Sequence, residues 1–149
     1  MTLSTSASRI AWTSQILAAA ILGQTLFFKF TGAPEAVALF TKLGVEPFGR
    51  IGLGIVELIT VVLLLVPRTA AIGSAVTLGL MVGAIGSHLT KLGIEVEGDG
   101  GALFGMALIA FAAGGTATWI RRDQLPILGA YFRGNKYGQE VASTSTPRV

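Results

Sequence analysis

The sequence predicts an all-α integral membrane protein, a four-helix bundle with a short interfacial helix between its first and second spans. Only 13% of its 149 residues are charged and 52% are hydrophobic, whereas a soluble domain carries about 25% charged residues. Four apolar runs of roughly 16–21 residues follow one another, too long for barrel strands of about 10 residues. Because lipid offers the backbone no hydrogen bonds, such runs must be helical.

The four spans are predicted to form one membrane domain within residues 1–122. A cytoplasmic tail over residues 123–149 is expected to be interfacial at first and then disordered. The first span resembles a signal peptide, but its apolar run extends beyond the 7–15 residues of a signal h-region, so we expect a retained helix. The Ser/Thr-rich start, residues 1–8, is expected to be mobile. The spans cover about residues 10–30, 50–66, 70–89 and 101–120.

A short helix is predicted between the first two spans. Pro34 is typical of a helix start and Gly44 of a helix end. Between them, apolar residues recur at helical spacing, namely Ala36, Leu39, Phe40 and Leu43. This pattern fits an amphipathic helix on the membrane surface, or a loop helix packed on the bundle.

The remaining connections are predicted to be short. Pro-Arg-Thr at residues 67–69 indicates a tight turn between the second and third spans. Residues 90–100 indicate a polar loop in which Asp99 caps the helix that follows. The fourth span is expected to end before Arg121.

The third span carries small residues four positions apart, and they form a stripe of Ala75, Gly79, Gly83 and Ser87. A similar stripe begins on the fourth span with Gly101 and Gly105. Small residues let helices approach closely, so the stripes predict packing within the bundle, or an interface with another chain. We expect the protein to form a homo-oligomer or part of a larger membrane complex.

Four spans place both termini on one side of the membrane. Of the 11 lysines and arginines, seven fall on that side and four on the other. Positively charged residues mark the cytoplasmic side. The termini are therefore predicted to be cytoplasmic, and the chain is predicted to be a multi-pass protein of the cell inner membrane in contact with the lipid bilayer.

Three polar residues are predicted to meet at one depth. Glu57 lies inside the second span, Lys29 at the outer end of the first and His88 at the outer end of the third. Neighbouring helices of a bundle lie about 8–10 Å apart, so the three side chains can surround one cavity. A charged residue within a span costs about 2.5–3.5 kcal/mol on insertion scales and is a functional hypothesis by default.

Each of these residues also has a structural interpretation. Lys29 can snorkel to the lipid headgroups, and His88 can be an interfacial polar residue. Glu57 can form a structural ion pair with Lys29, or it can be a protonated acid that is hydrogen-bonded within the bundle. The sequence does not choose between these alternatives.

Several other classes of site are excluded by residue content. The chain has no cysteine and one histidine, so its own side chains cannot build a disulfide, an iron–sulfur cluster or a bis-histidine haem site. No metal-binding spacing occurs, and no metal site is predicted. Gly98–Gly101 lacks the strand and the Lys-Ser/Thr of a phosphate loop. No basic run with interleaved aromatic residues indicates nucleic-acid binding.

The order of the helices and of their polar residues along the chain is similar to that of a known family. A helix passes through Gly23 to Phe-Phe-Lys-Phe at residues 27–30, and the second span carries Gly-xxxx-Glu-Leu at residues 52–58. A small-residue helix that ends in His88 and a terminal span follow. In this order the chain resembles the DoxX-like family of small four-helix membrane proteins, over about Ile10–Arg122.

The resemblance implies a four-helix bundle in which Lys29, Glu57 and His88 occupy the motif positions. Some members of the family are similar to the membrane subunit of a thiosulfate:quinone oxidoreductase, and others are linked to oxidative-stress complexes in the membrane. Sulfur chemistry at a cysteine does not carry over, because this chain has no cysteine.

The resemblance, together with the three polar residues, therefore implies an accessory or quinone-interacting subunit of a membrane oxidoreductase complex, without an autonomous catalytic motif. Lys29, Glu57 and His88 would form a pocket for a non-covalently bound quinone. There Glu57 accepts or relays a proton, His88 hydrogen-bonds a carbonyl, and Lys29 keeps the acid ionised. One alternative is a small oligomeric transporter or channel with Glu57 as its coupling acid, and another is a structural scaffold subunit.

Overall fold

The computed structural model describes residues 4–125, and the membrane domain in it is all-helical. Its helices are α1 (Thr5–Thr31), α2 (Pro34–Leu43), α3 (Phe48–Leu65), α4 (Ala70–Ser87) and α5 (Ala102–Arg121). α4 continues into a π-helical turn, His88–Leu92, and α5 into a 3-10 turn, Arg122–Gln124. α1, α3, α4 with its π-turn, and α5 are each long and apolar enough to cross a membrane. The predicted all-α fold with four membrane helices is confirmed, while most of the predicted tail, from residue 126 onwards, lies outside the described residues.

The four long helices form a ring in which each packs against two neighbours, in the order α1–α3–α4–α5. α2 lies across one end of the ring, in contact with α1, α3 and the π-turn. We call this end the distal end, and the end that holds the start of α1 and the end of α5 the proximal end. Small side chains allow close packing where lipid gives no hydrophobic driving force. Five of the eight core residues are alanines, namely Ala18, Ala19, Ala107, Ala110 and Ala113, and the other three are Leu22, Leu64 and Met81.

α1 begins earlier than the hydropathy pattern predicted. The side chain of Ser4 accepts a hydrogen bond from the N–H of Ala7 at 3.2 Å and caps the helix, which starts at Thr5. A capping hydroxyl satisfies one of the backbone donors that a helix start leaves open. The expectation of mobility over residues 1–8 is therefore wrong for residues 4–8.

α2 is bounded by Pro34 and Gly44, as the sequence predicted. Phe40, on its inner face, is buried. Lys42 donates a hydrogen bond of 2.9 Å to the carbonyl of Leu92, the last residue of the π-turn. Of the two interpretations of this segment, the structure supports the helix packed on the bundle.

Asp99 caps α5, as predicted. One of its carboxylate oxygens accepts the N–H of Leu103, and the other accepts the N–H groups of Val96 and Gly101, each at 2.9 Å. The bonds from Leu103 and Val96, more than any nearby charge, hold the pKa of Asp99 below its ordinary value. Asp99 thereby fixes the loop between α4 and α5 at the distal end.

At its two glycines, the small-residue stripe of α4 does not pack against another helix of the bundle. The interpretation that the stripe packs within the bundle is wrong at these two positions. A Cβ added at Gly79 or Gly83 would meet no atom within 4 Å. On α4 itself, a close approach lies at Gly73, where a Cβ would come within 2.6 Å of the backbone nitrogen of Leu64. α3 and α4 therefore touch near the turn that joins them, and space is left beside the distal half of α4.

Gly73→Ala is expected to destabilise the bundle by about 1–3 kcal/mol, because the new methyl group overlaps backbone atoms that no rotamer change can move. Gly79→Ala is the matched control. It should be neutral or stabilising by up to about 1 kcal/mol, since alanine favours a helix over glycine. Thermal unfolding of the purified protein in detergent measures both, and equal stability of the two variants would contradict the close α3–α4 contact.

Candidate functional site

An ion pair joins α1 and α3 inside the bundle. Nζ of Lys29 lies 2.6 Å from Oε2 of Glu57, and Glu57 is only 4% exposed. Thr25, one turn before Lys29, completes the group. Its hydroxyl lies 3.1 Å from the same carboxylate oxygen and accepts a hydrogen bond of 2.9 Å from Lys29. Lys29 is thus engaged with Glu57, and the interpretation that it snorkels to the headgroups is wrong.

Arg50 holds the distal ends of α1 and α3 together beside this ion pair. Its guanidinium donates a hydrogen bond to the backbone carbonyl of Lys29. It also binds the carboxylate of Glu46, through Nε at 2.9 Å and Nη2 at 2.8 Å. The last carbonyls of a helix have no partner within it, so Arg50 satisfies one of them. The same contact fixes the backbone of Lys29 against the start of α3, within reach of Glu57.

His88 begins the π-turn that follows α4. The sequence predicted a helix over 70–89 and then a polar loop, but helical backbone continues to Leu92. Nδ1 of His88 lies 2.7 Å from the carbonyl oxygen of Gly93, directly after the turn. The imidazole is 6% exposed and packs on the ring of Phe104 in α5, with 5.4 Å between the ring centroids. His88 is therefore a buried and oriented side chain.

A cavity of about 700 Å³ in the distal part of the bundle contacts all three predicted residues. Lys29, Glu57 and His88 line it, together with the hydroxyl residues Thr25 and Ser87, and the other lining residues are apolar or glycine. A volume of about 300–1,000 Å³ and a few polar groups in an apolar wall are typical of ligand sites. The structure thus brings the cation, the acid and the imidazole to one cavity.

The cavity reaches the surface of the bundle along α4. Gly79 and Gly83 line it and are exposed, and neither would bring a Cβ within 4 Å of another atom. Both glycines lie well inside a helix that is apolar enough to span the membrane. A molecule dissolved in the bilayer can therefore approach the cavity from the side.

A smaller cavity of about 410 Å³ adjoins the first. Thr25 and Lys29 line both. The smaller cavity also contacts the carboxylates of Glu35, Glu97 and Asp99. Among residues 4–125, no group of three or more His, Cys, Asp or Glu side chains is arranged to hold a metal ion.

Sequence reasoning missed a second polar cluster, at the proximal end. Gln15 of α1 is fully buried, lies 3.4 Å from the hydroxyl of Ser74 and accepts a hydrogen bond of 3.2 Å from Arg121. The guanidinium of Arg121 also lies 5.5 Å from the ring of Trp12. A polar glutamine within an apolar run is a weaker form of the signal that identified Glu57, because its side chain carries no charge. The cluster shares no residue with either cavity, and it links α1, α4 and α5 structurally.

Comparison with known families agrees with this architecture. The model of the DoxX-like family matches residues 13–114, which include Lys29, Glu57 and His88. The chain belongs to the DoxX-like family. No curated protein and no solved structure matches this DoxX-like chain.

Lys29→Met is expected to destabilise this DoxX-like protein by about 3–5 kcal/mol, because the Glu57 carboxylate would stay buried without its cation. The double variant Lys29→Met/Glu57→Leu should recover most of the loss, since it leaves no charge behind. Lys91→Met, at an exposed lysine, is the control and should change little. Unfolding in detergent measures all three, and a double variant as unstable as the single one would contradict the buried-pair interpretation.

Proposed function

We propose that this protein is an accessory, quinone-interacting subunit of a membrane oxidoreductase complex. The observation that carries the proposal is the distal cavity, with its ion pair and imidazole in a largely apolar wall. Quinones are dissolved in the bilayer, and the opening beside Gly79 and Gly83 gives access from the side of the bundle. A quinone has a ring with polar oxygens and an apolar tail, and it therefore matches a cavity with a few polar groups in a largely apolar wall.

The proposed arrangement places the quinone ring between α3 and α4. Glu57 accepts or passes on a proton of the ring oxygen, and the ammonium of Lys29, 2.6 Å away, stabilises the carboxylate. His88 presents its second ring nitrogen to the ligand, since the first is engaged with Gly93. The two sides of the ring would thus meet polar groups from two different helices.

The electron-transfer step is placed in a partner subunit. The chain has no cysteine to bind an iron–sulfur cluster, and its one histidine cannot form a bis-histidine haem site. The alternatives are a transporter and a scaffold. Buried residues such as Leu22, Leu64 and Ala110 fill the bundle beside the cavity, so no observation favours a pore through a single chain.

Gly83→Phe is expected to weaken quinone binding about tenfold or more, because the new side chain grows into open space at the mouth of the cavity. Gly86→Phe is the matched control: its Cβ also meets nothing within 4 Å, but Gly86 does not line the cavity. Titration of a short-chain quinone into the purified protein in nanodiscs measures both. Wild-type affinity in Gly83→Phe would remove this cavity as the quinone site.

Affinity capture of the full chain from native membranes tests the accessory role. We expect a subunit with a redox centre to co-purify at a fixed ratio, identified by mass spectrometry, because the quinone chemistry needs an electron donor or acceptor. Recovery of this chain alone, from membranes solubilised under several mild conditions, would contradict that role. It would leave the quinone-binding measurement unaffected.

A further inference from the structure

We infer that the distal cavity binds the reduced, hydroquinone form of a quinone in preference to the oxidised form. The inference rests on the proposed function and specifies the ligand of that same site. It follows from which hydrogen-bonding groups of the cavity are still free and whether they donate or accept.

His88 presents an acceptor to the cavity. Its Nδ1 lies 2.7 Å from the carbonyl oxygen of Gly93, which can only accept, so Nδ1 carries a proton. In the neutral imidazole the other nitrogen, Nε2, is then an acceptor, and no described residue binds it. The carboxylate of Asp99 interacts electrostatically with His88, but its oxygens are engaged with three backbone N–H groups and make no ion pair with the imidazole among residues 4–125. The predicted hydrogen bond from His88 to a quinone carbonyl is therefore not available to the neutral ring.

Glu57 presents a second acceptor. Its contacts with Lys29 and Thr25 both fall on Oε2. Oε1 has no partner in the described part of the chain. Oε1 is not one of the fully buried atoms that lack a partner, so it borders open space, and a ligand that displaces water from it has to supply a donor.

The side-chain hydrogen-bond donors that line the cavity already have acceptors within the protein, except for one N–H of Lys29. The hydroxyl of Thr25 has Oε2 of Glu57 and a backbone carbonyl as its acceptors. The hydroxyl of Ser87 donates to a carbonyl of its own helix at 2.9 Å. Lys29 directs two of its three N–H groups at Glu57 and Thr25. The free groups are thus an acceptor on α3, an acceptor at the end of α4 and one donor on α1.

A hydroquinone matches this set, and a quinone does not. Each hydroxyl of the hydroquinone donates one hydrogen and also accepts, so it can serve Oε1 of Glu57, Nε2 of His88 and the free N–H of Lys29. The carbonyls of a quinone only accept, and both protein acceptors would be enclosed without donors. Polar sites reject a ligand that lacks the required O–H in this way. We expect the hydroquinone to bind about tenfold to a hundredfold more tightly.

Equilibrium titrations of the full chain in nanodiscs test this, with one short-chain quinone used in its oxidised and its pre-reduced form. A tenfold preference for the hydroquinone raises the two-electron midpoint potential of the bound ligand by about 30 mV, which a redox titration measures independently. Equal affinities, or tighter binding of the quinone, would overturn the inference and leave the proposed function standing. Failure of both forms to bind would overturn both.

Two variants test the cause of the preference. Glu57→Gln keeps the shape of the side chain but adds an N–H that can donate to a carbonyl, so the preference should fall to about parity or reverse. Glu35→Gln, which lines only the smaller cavity, is the matched control and should keep the wild-type ratio. If Glu57→Gln does not fold, His88→Phe removes the other acceptor and should also lower the ratio. An unchanged ratio in every folded variant would overturn the assignment.

Discussion

The need of a membrane-buried carboxylate for a cation is the constraint on which the rest of this structure depends. Glu57 sits among aliphatic side chains and would be costly alone. Lys29 meets the need from the neighbouring helix, with Nζ at 2.6 Å from one carboxylate oxygen. Because the pairing is one-sided, the other oxygen remains available to a ligand. The ion pair with Lys29 therefore stabilises the buried acid and also leaves one carboxylate oxygen free to accept a hydrogen bond in the cavity.

The distal end is built around fixed helix ends and open space. Arg50 donates a hydrogen bond to the last turn of α1, and Lys42 donates one to the end of the π-turn. Asp99 accepts one from the start of α5. Each side chain satisfies backbone groups that a helix end leaves open, and lipid supplies no substitute. The proximal end is built differently, with a close α3–α4 approach at Gly73 and a buried polar cluster around Gln15. One end of the bundle is thus filled and the other holds the cavities.

The sequence by itself determined the fold class, the four spans and several helix ends. These depend on hydropathy summed over about 20 residues and on local signals such as Pro34, Gly44 and the cap at Asp99. It also singled out Glu57, since an ionisable group in an apolar run is visible without any structure. Thr25 had a weaker signal, its position one turn before a lysine, and was missed.

Only the tertiary structure decided how these residues meet. The glycines at 79 and 83 border a cavity, whereas Gly73 lies at a close contact between α3 and α4. A stripe of small residues permits a close approach but does not require one. In the same way, the sequence left open whether Lys29 turned to the headgroups or to Glu57, and whether α2 lay on the membrane or on the bundle. Those outcomes depend on distances between helices far apart in the chain, and no local pattern specifies such distances.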